Sequence, residues 1–430
     1  MVWLIILAGF IVTALTGIPI GLGLAMTGLA ILHFVVGGAA DLGVTAVWNV
    51  FTDFTLSAVP LFIFMGEIML VSGVSGRLYT AISPLFSRVP GQLLHTNIAV
   101  STLFGAVSGA STSTAAAVGS VAYPELEKRG YDPRAVVGTL AAGGTLGLLI
   151  PPSLSLLIYG ATQQVSIGQL FLAGILPGIM LAAMMMAYIG LVLSRRKGTV
   201  PDNDDPNWSL GKALRILLPI WPIGFLVFAV LGTIYLGLAT PTEAAGLGVG
   251  ASIVLGFLWG DLTLRKLWAA FIDSVQVFVS IGVVMMGALI LAQAMSILGL
   301  PLQVLSWIES MNLSPLAVLV AVSIFYLILG CFFDGISLML MTLPIVFPVL
   351  TGVGYDPVWL GVVITILIEI GMLTPPVGMN LYVLSGITGN RVTLLQAAGA
   401  SLPFWLILLS GVAILTLLPG IALLLPNSLY

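Results

Sequence analysis

The chain has 430 residues, of which 59% are hydrophobic and only 7% charged, with 50 Gly, 24 Pro and a net charge of −3. So little charge excludes a soluble globular domain and makes lipid the solvent for most of the surface, so that Pro and Gly at this level mark broken membrane helices. The weakly acidic balance leaves no basic face for nucleic acid, and a single cysteine, Cys331, excludes an intramolecular disulfide.

In chain order, Trp3–Leu15 and Ile18–Val36 are two apolar runs. The first Lys or Arg is Arg77, so the N-terminal run lacks the basic flank of a cleaved signal and reads as a retained span. A polar stretch, Gly37–Asp53, precedes a third span, Leu56–Val71, that carries Glu67. Ser75–Gly91, with Arg77, Arg88 and two Pro, reads as an interfacial amphipathic arm. Residues 95–123 are long and apolar, but their centre, GAVSGASTST (Gly105–Thr114), is small and hydroxyl-rich. This predicts a re-entrant hairpin with its tip near mid-membrane; the alternative is one tilted span with small residues at a helix interface. After a charged loop, Pro124–Arg134, residues 135–160 form a span broken at Pro151-Pro152, and Leu170–Leu193 form another.

Residues 1–198 make up the first unit. Residues 199–212, the only strongly polar stretch, read as a cytoplasmic linker to a second unit, 213–430. There the plan recurs: spans at Ala213–Leu236 and Ala244–Trp259, a loop at Asp261–Lys266, a span at Trp268–Leu298 and an arm at Pro301–Ser314. A hairpin at 315–350, a broken helix at 358–385 and a final span at Leu402–Leu424 complete it. Three landmarks keep one register between the units: Gly130-Tyr131-Asp132-Pro133 returns as Gly354-Tyr355-Asp356-Pro357, Pro151-Pro152 as Pro375-Pro376, and Pro124 as Pro348. A duplicated membrane unit punctuated by Gly and Pro is the pattern of a secondary transporter.

The expected fold is therefore an all-α polytopic membrane protein of two inverted-topology repeats, each with five spans, one re-entrant hairpin and an interfacial arm helix. Charge supports the inversion. On this map all 13 Lys and Arg fall on one side, which the positive-inside rule makes cytoplasmic and which puts both termini in the periplasm. An odd number of spans per unit also explains why the first GYDP loop is basic and the second is not.

A proline in a helix cannot donate to the carbonyl four residues earlier, so Pro151 and Pro152 are expected to bare the carbonyls of Gly147 and Leu148, and Pro375 and Pro376 those of Gly371 and Met372. Water or a neighbouring side chain is the plain answer to such a carbonyl. Freed carbonyls facing a hydroxyl-rich hairpin tip in both repeats favour a hard monovalent cation such as Na⁺. The first sodium site would draw on Ser108, Ser111, Gly147, Ile150 and Pro152; the second on Gly330, Gly371, Thr374 and Val377. Thr112, Ser113, Asp334 and Asn380 are candidates for binding or coupling substrate. Asp334, Glu369 and Glu67 are ionisable groups at membrane depth, either functional or packing acids that stay protonated. No Lys or Arg lies mid-membrane, so an anionic substrate would lean on half-helix N-termini, hydroxyls and the bound cations.

Catalysis finds no parts here. Ser108 in GAVSG has no histidine after it in a later span, and no phosphate-binding Gly-rich loop exists, so transport must draw on an ion gradient and not on ATP. No cofactor is expected besides Na⁺ as coupling ion.

The motifs GAVSGASTST, ELEKRGYDP, GTLGLLIPPS, DGISLMLMTLPIVFPVLTGVGYDP and GMLTPPVGMNLYV occur in order between Gly105 and Val383, within a resemblance that covers essentially the whole chain. In them the sequence resembles the large membrane (M, DctM-like) subunit of tripartite ATP-independent periplasmic (TRAP) transporters. The resemblance implies an elevator-type, Na⁺-coupled importer of organic acids in the bacterial inner membrane. It also implies two partners, a small four-span (Q-type) membrane subunit and a periplasmic substrate-binding (P-type) protein. Ala110 departs from the family's usual Ser-Gly-Ser-Ser tip, which favours backbone over side-chain coordination there. Two other readings remain at this stage: a self-sufficient Na⁺-coupled anion symporter of related fold, and a passive channel or scaffold.

Overall fold

The computed structural model describes residues 2–196, 198–201 and 220–429, and every regular element among them is a helix. The first part runs α1 (Val2–Thr16), α2 (Ile20–Ala30), α3 (Ala40–Phe51), α4 (Ala58–Val71) and α5 (Val74–Ile82). Next come α6 (Leu93–Ser108), α7 (Ser111–Lys128), α8 (Pro133–Thr145), α9 (Leu154–Gln163) and α10 (Ile167–Leu191). The second part runs α11 (Trp221–Val227), continued by a π turn, then α12 (Pro241–Leu258), α13 (Leu264–Ile297) and α14 (Leu300–Ser310). It closes with α15 (Pro315–Gly330), α16 (Gly335–Gly352), α17 (Pro357–Met372), α18 (Met379–Ile387), α19 (Leu394–Leu417) and α20 (Gly420–Leu429). Most of the expected linker, and the start of the span expected at Ala213–Leu236, lie outside the described residues.

Six helical stretches among the described residues are long and apolar enough to cross a membrane, while the pieces of the first hairpin and the broken helices include shorter ones. Residues 95–123 do not form a single helix. Gly109, at φ 62°, ends α6 in the left-handed region that glycine tolerates, and α7 starts two residues later. The 315–350 stretch likewise divides into α15 and α16. At both diprolines the helix stops and a second one starts beyond it, with the Pro–Pro bond cis in each case.

The recurring Gly-Tyr-Asp-Pro is a stop and a start in four residues. Gly130 and Gly354 turn at φ 81° and 103°, and the next N–H, of Tyr131 or Tyr355, bonds back to Leu126 or Leu350 at 3.1 Å. Asp132 and Asp356 then cap the following helix, accepting from the N–H of Arg134 at 3.0 Å and of Val358 at 2.8 Å, with proline in the first turn. In the first loop the Tyr131 hydroxyl donates to Gln92 Oε1 at 2.9 Å, and burial pushes that phenol up, keeping it a neutral donor.

Three expectations need correction. The polar stretch Gly37–Asp53 contains a helix, α3, whose residues are mostly exposed. The Asp261–Lys266 loop is shorter than expected, because Thr263 caps Lys266 and starts α13 at Leu264; that helix runs 34 residues. The final span breaks at Pro419: Leu418 leaves the helical region at φ −129°, ψ 67°, as residues before proline tend to, and α20 turns back to pack on α10.

Glycine also governs packing. The tightest helix pair, α2 against α13, meets backbone to backbone, and a Cβ on Gly287 would lie 1.9 Å from the Gly21 carbonyl oxygen. The arm α5 is clipped across the chain by Arg77, which pairs with Asp261 at 2.9 Å.

Candidate functional site

Each hairpin packs its first helix onto a broken helix through a glycine pair. A Cβ added to Gly105 would lie 2.5 Å from the Gly147 Cα, and one added to Gly371 would lie 2.5 Å from the Gly330 Cα. No side chain larger than hydrogen fits, so the backbones of tip and break stand in direct contact. The segment after each diproline also bonds to the facing tip: Leu154 N–H donates to Gly109 C=O, and Val377 N–H to Cys331 C=O, both at 3.2 Å.

The residues expected in the first site converge in part. Ser108 Oγ and Thr114 Oγ1 are 2.7 Å apart, Thr114 Oγ1 also donates to Ala110 C=O at 2.7 Å, and Gly147 and the Pro152 carbonyl face the same tip. Ile150 turns its side chain onto Gly178 of α10, leaving its backbone as its only contribution. Ser111 faces the other way. Thr112 and Ser113, on the next turn positions of α7, are half-buried.

In the second group, Gly330 and Gly371 touch, and Val377 is tied to the tip through its N–H. The Thr374 hydroxyl is already engaged, donating to Ile370 C=O at 2.6 Å and accepting from Trp405 Nε1 at 2.9 Å. Two of the four carbonyls expected to be bare are in fact satisfied. Gly371 C=O accepts Thr374 N–H at 2.9 Å because the chain leaves the helix through a tighter, three-residue turn, and Leu148 C=O accepts the Ser153 hydroxyl. Those of Gly147 and Met372 remain without a donor among the described residues.

Asp334 sits at the second tip as the N-cap of α16, its Oδ2 accepting from Ser337 N–H at 3.0 Å. Its counterpart at the first tip is Ala110, which offers no such cap. Glu67 lies apart on α4, facing α13, where Phe64 packs edge-on against Phe271.

The sequence did not reveal a buried polar contact that joins the two halves. Ser111 Oγ, at the start of α7, donates to Glu369 Oε2 of α17 at 2.8 Å and accepts from Asn380 Nδ2 of α18 at 2.8 Å. Glu369 is 1% exposed and Asn380 fully buried, and Gly144 of α8 packs so closely that a Cβ there would lie 3.2 Å from the Ser111 carbonyl oxygen. A signal was present in the repeat itself. In the shared register Ser111 pairs with Gly335 and Glu369 with Thr145, so the polar link occupies positions where the copies differ in chemistry.

The chain matches, over residues 7–421, the family described as the DctM component of the tripartite ATP-independent periplasmic transporter. It is 35% identical over 378 residues, 87% of this chain and 86% of the other, to the C4-dicarboxylate TRAP transporter large permease protein DctM of Pseudomonas aeruginosa. It is 30% identical over 427 residues, 97% of each chain, to the sialic acid TRAP transporter large permease protein SiaM of Vibrio cholerae. Among solved structures, the Alcanivorax borkumensis YdaH transporter matches with a TM-score of 0.63 over 89% of both chains at 16% identity, a likeness of fold alone.

Proposed function

Because the chain belongs to the DctM family of TRAP transporter large permeases, we propose that it is the transport subunit of a Na⁺-coupled importer of an organic acid across the bacterial inner membrane. A separate small membrane subunit and a periplasmic substrate-binding protein complete the system. The observation that carries this reading is the twofold contact of a hairpin tip with a broken helix, glycine on glycine, with the Gly147 and Met372 carbonyls left free of donors. Backbone oxygens fixed in this way suit a hard cation of low charge.

In this proposal the first Na⁺ is held near Ser108, Gly147, Ile150 and Pro152, and the second near Gly330, Gly371, Thr374 and Val377, mostly by main-chain oxygens. Thr112, Ser113, Asp334 and Asn380 face or shape the substrate path. The two halves lie in opposite senses, with both termini periplasmic, and the hairpins and broken helices slide as one body against a scaffold that the arms brace. The one-sided placement of Lys and Arg supports the orientation.

Reconstitution in proteoliposomes tests the whole reading. Uptake of a carboxylate should require the chain, the small subunit, the binding protein and an inward Na⁺ gradient. Uptake by the chain alone would favour the self-sufficient symporter, and flux indifferent to Na⁺ would favour a passive channel.

Asp334 offers a sharper probe, because its structural and coupling roles separate. Asparagine keeps an N-cap oxygen, whereas alanine loses it at a cost of about 1 kcal/mol. Asp334→Asn should therefore unfold at the wild-type temperature yet lose Na⁺-dependent uptake. Unchanged Na⁺ dependence would remove Asp334 from the site and leave it as a cap.

A further inference from the structure

A cavity of about 340 Å³ lies between α8, α10 and α19, at the end of α8 away from its diproline break. It shares no residue with either proposed cation group. Arg134, in the first turn of α8, and Arg196, just past the end of α10, both line it, with Asp132 and Gln396 beside them. Tyr188 and Phe404, packed edge-on with centroids 5.2 Å apart, give it an apolar wall. Backbone fixes the arrangement: Asp132 N–H donates to Thr199 C=O at 3.2 Å, tying the chain that leaves α10 to the start of α8.

The two guanidiniums lack acids. Other arginines on the basic side are paired, Arg77 with Asp261, Arg129 with Glu125 and Arg391 with Glu127. Among the described residues neither Arg134 nor Arg196 has an ion pair or a side-chain hydrogen bond. Asp132 is occupied as a cap, accepting from Arg134 N–H at 3.0 Å. Gln396 Oε1 accepts from Thr393 N–H at 3.1 Å, so the amide hydrogens are what this side chain has left to offer. Two cations against one carboxylate leave one positive charge over. Guanidinium forks fit phosphate oxygens in pairs, and a phosphodiester carries the single negative charge that the cavity lacks.

The surroundings say what the phosphate belongs to. Leu395, Leu402 and Leu406 share the face of α19 that carries the cavity-lining Gly399, and they are 78%, 56% and 53% exposed. A free phosphate has no use for such a track, whereas an acyl chain does. We propose that the cavity binds the headgroup of an anionic phospholipid, with Arg134 and Arg196 on the phosphate, Gln396 as a further donor, and an acyl chain along the three leucines. The lipid is a bound component of the folded chain, and this inference does not rest on the transport reading.

Native mass spectrometry of the full chain in detergent, titrated with phosphatidylglycerol, tests it. The wild type should take up a first phosphatidylglycerol more tightly than phosphatidylcholine, which brings no net charge. Arg134→Gln combined with Arg196→Gln should weaken that first binding at least about tenfold, since two charge-assisted contacts are lost. Arg265→Gln, on the same basic side but outside the cavity, should leave it unchanged. All three arginines are exposed, so the variants should unfold at the wild-type temperature before lipid is added. Equal binding by the double variant, or equal binding of the two lipids by the wild type, would overturn the proposal. Inorganic phosphate separates the sources. It should not displace the lipid, and displacement that depends on the two arginines would assign the cavity to free phosphate and remove the lipid.

Discussion

Gly371→Ala is expected to be strongly damaging for the addition of a single methyl group. The added carbon would sit 2.5 Å from the Gly330 Cα, and the atom it meets is backbone, which cannot swing aside as a side-chain end can. Overpacking typically costs 1–3 kcal/mol, and a backbone collision places this one at the upper end, about 3 kcal/mol. The thermal unfolding midpoint of the purified chain should fall accordingly, and uptake by the reconstituted three-component system should drop to background. Gly386→Ala, in the helix after the same diproline, is the control: nothing lies within 4 Å of its added carbon, so both readouts should match the wild type. Equal behaviour of the two variants would mean that the tip and the break are not in contact.

Ser111→Ala should be nearly as damaging, for an electrostatic reason. The hydroxyl serves Glu369 and Asn380 at once, and removing it leaves two further buried polar atoms without partners, each costing about 1–3 kcal/mol. Ser120→Ala, at an exposed position farther along the same helix, should cost little. The comparison is read as paired unfolding midpoints together with uptake. A Ser111→Ala protein as stable and as active as Ser120→Ala would show that this link between the halves is dispensable.

Much of this architecture could be read from local chemistry. The diprolines, the hydroxyl-rich tip and the Gly-Tyr-Asp-Pro turns act through backbone rules that hold whatever surrounds them, so helices end and restart at these residues. The exceptions have physical causes. Ala40–Phe51 is too polar to read as a span but folds as a surface helix, and the final span expected at Leu402–Leu424 is divided at Pro419. At the site, sequence spacing located which carbonyls proline would release but not which nearby donors, such as Ser153 and Thr374, would take them. The Ser111–Glu369–Asn380 link was harder still, since its members are 258 and 269 residues apart and no periodicity connects them.

The helix α13 has a mechanical consequence. At 34 residues it is about 50 Å long, well beyond the roughly 30 Å of hydrocarbon it has to cross. The element preceding the other arm is jointed instead, with α3 and α4 meeting at Thr52, Asp53 and a short turn, Phe54–Ser57. One side of the protein is therefore carried on a stiff beam and the other on an elbow. Any displacement of the parts between them must be taken up mainly at the elbow, and a proline or glycine inserted midway along the beam would share that bending between two joints where the native protein has one.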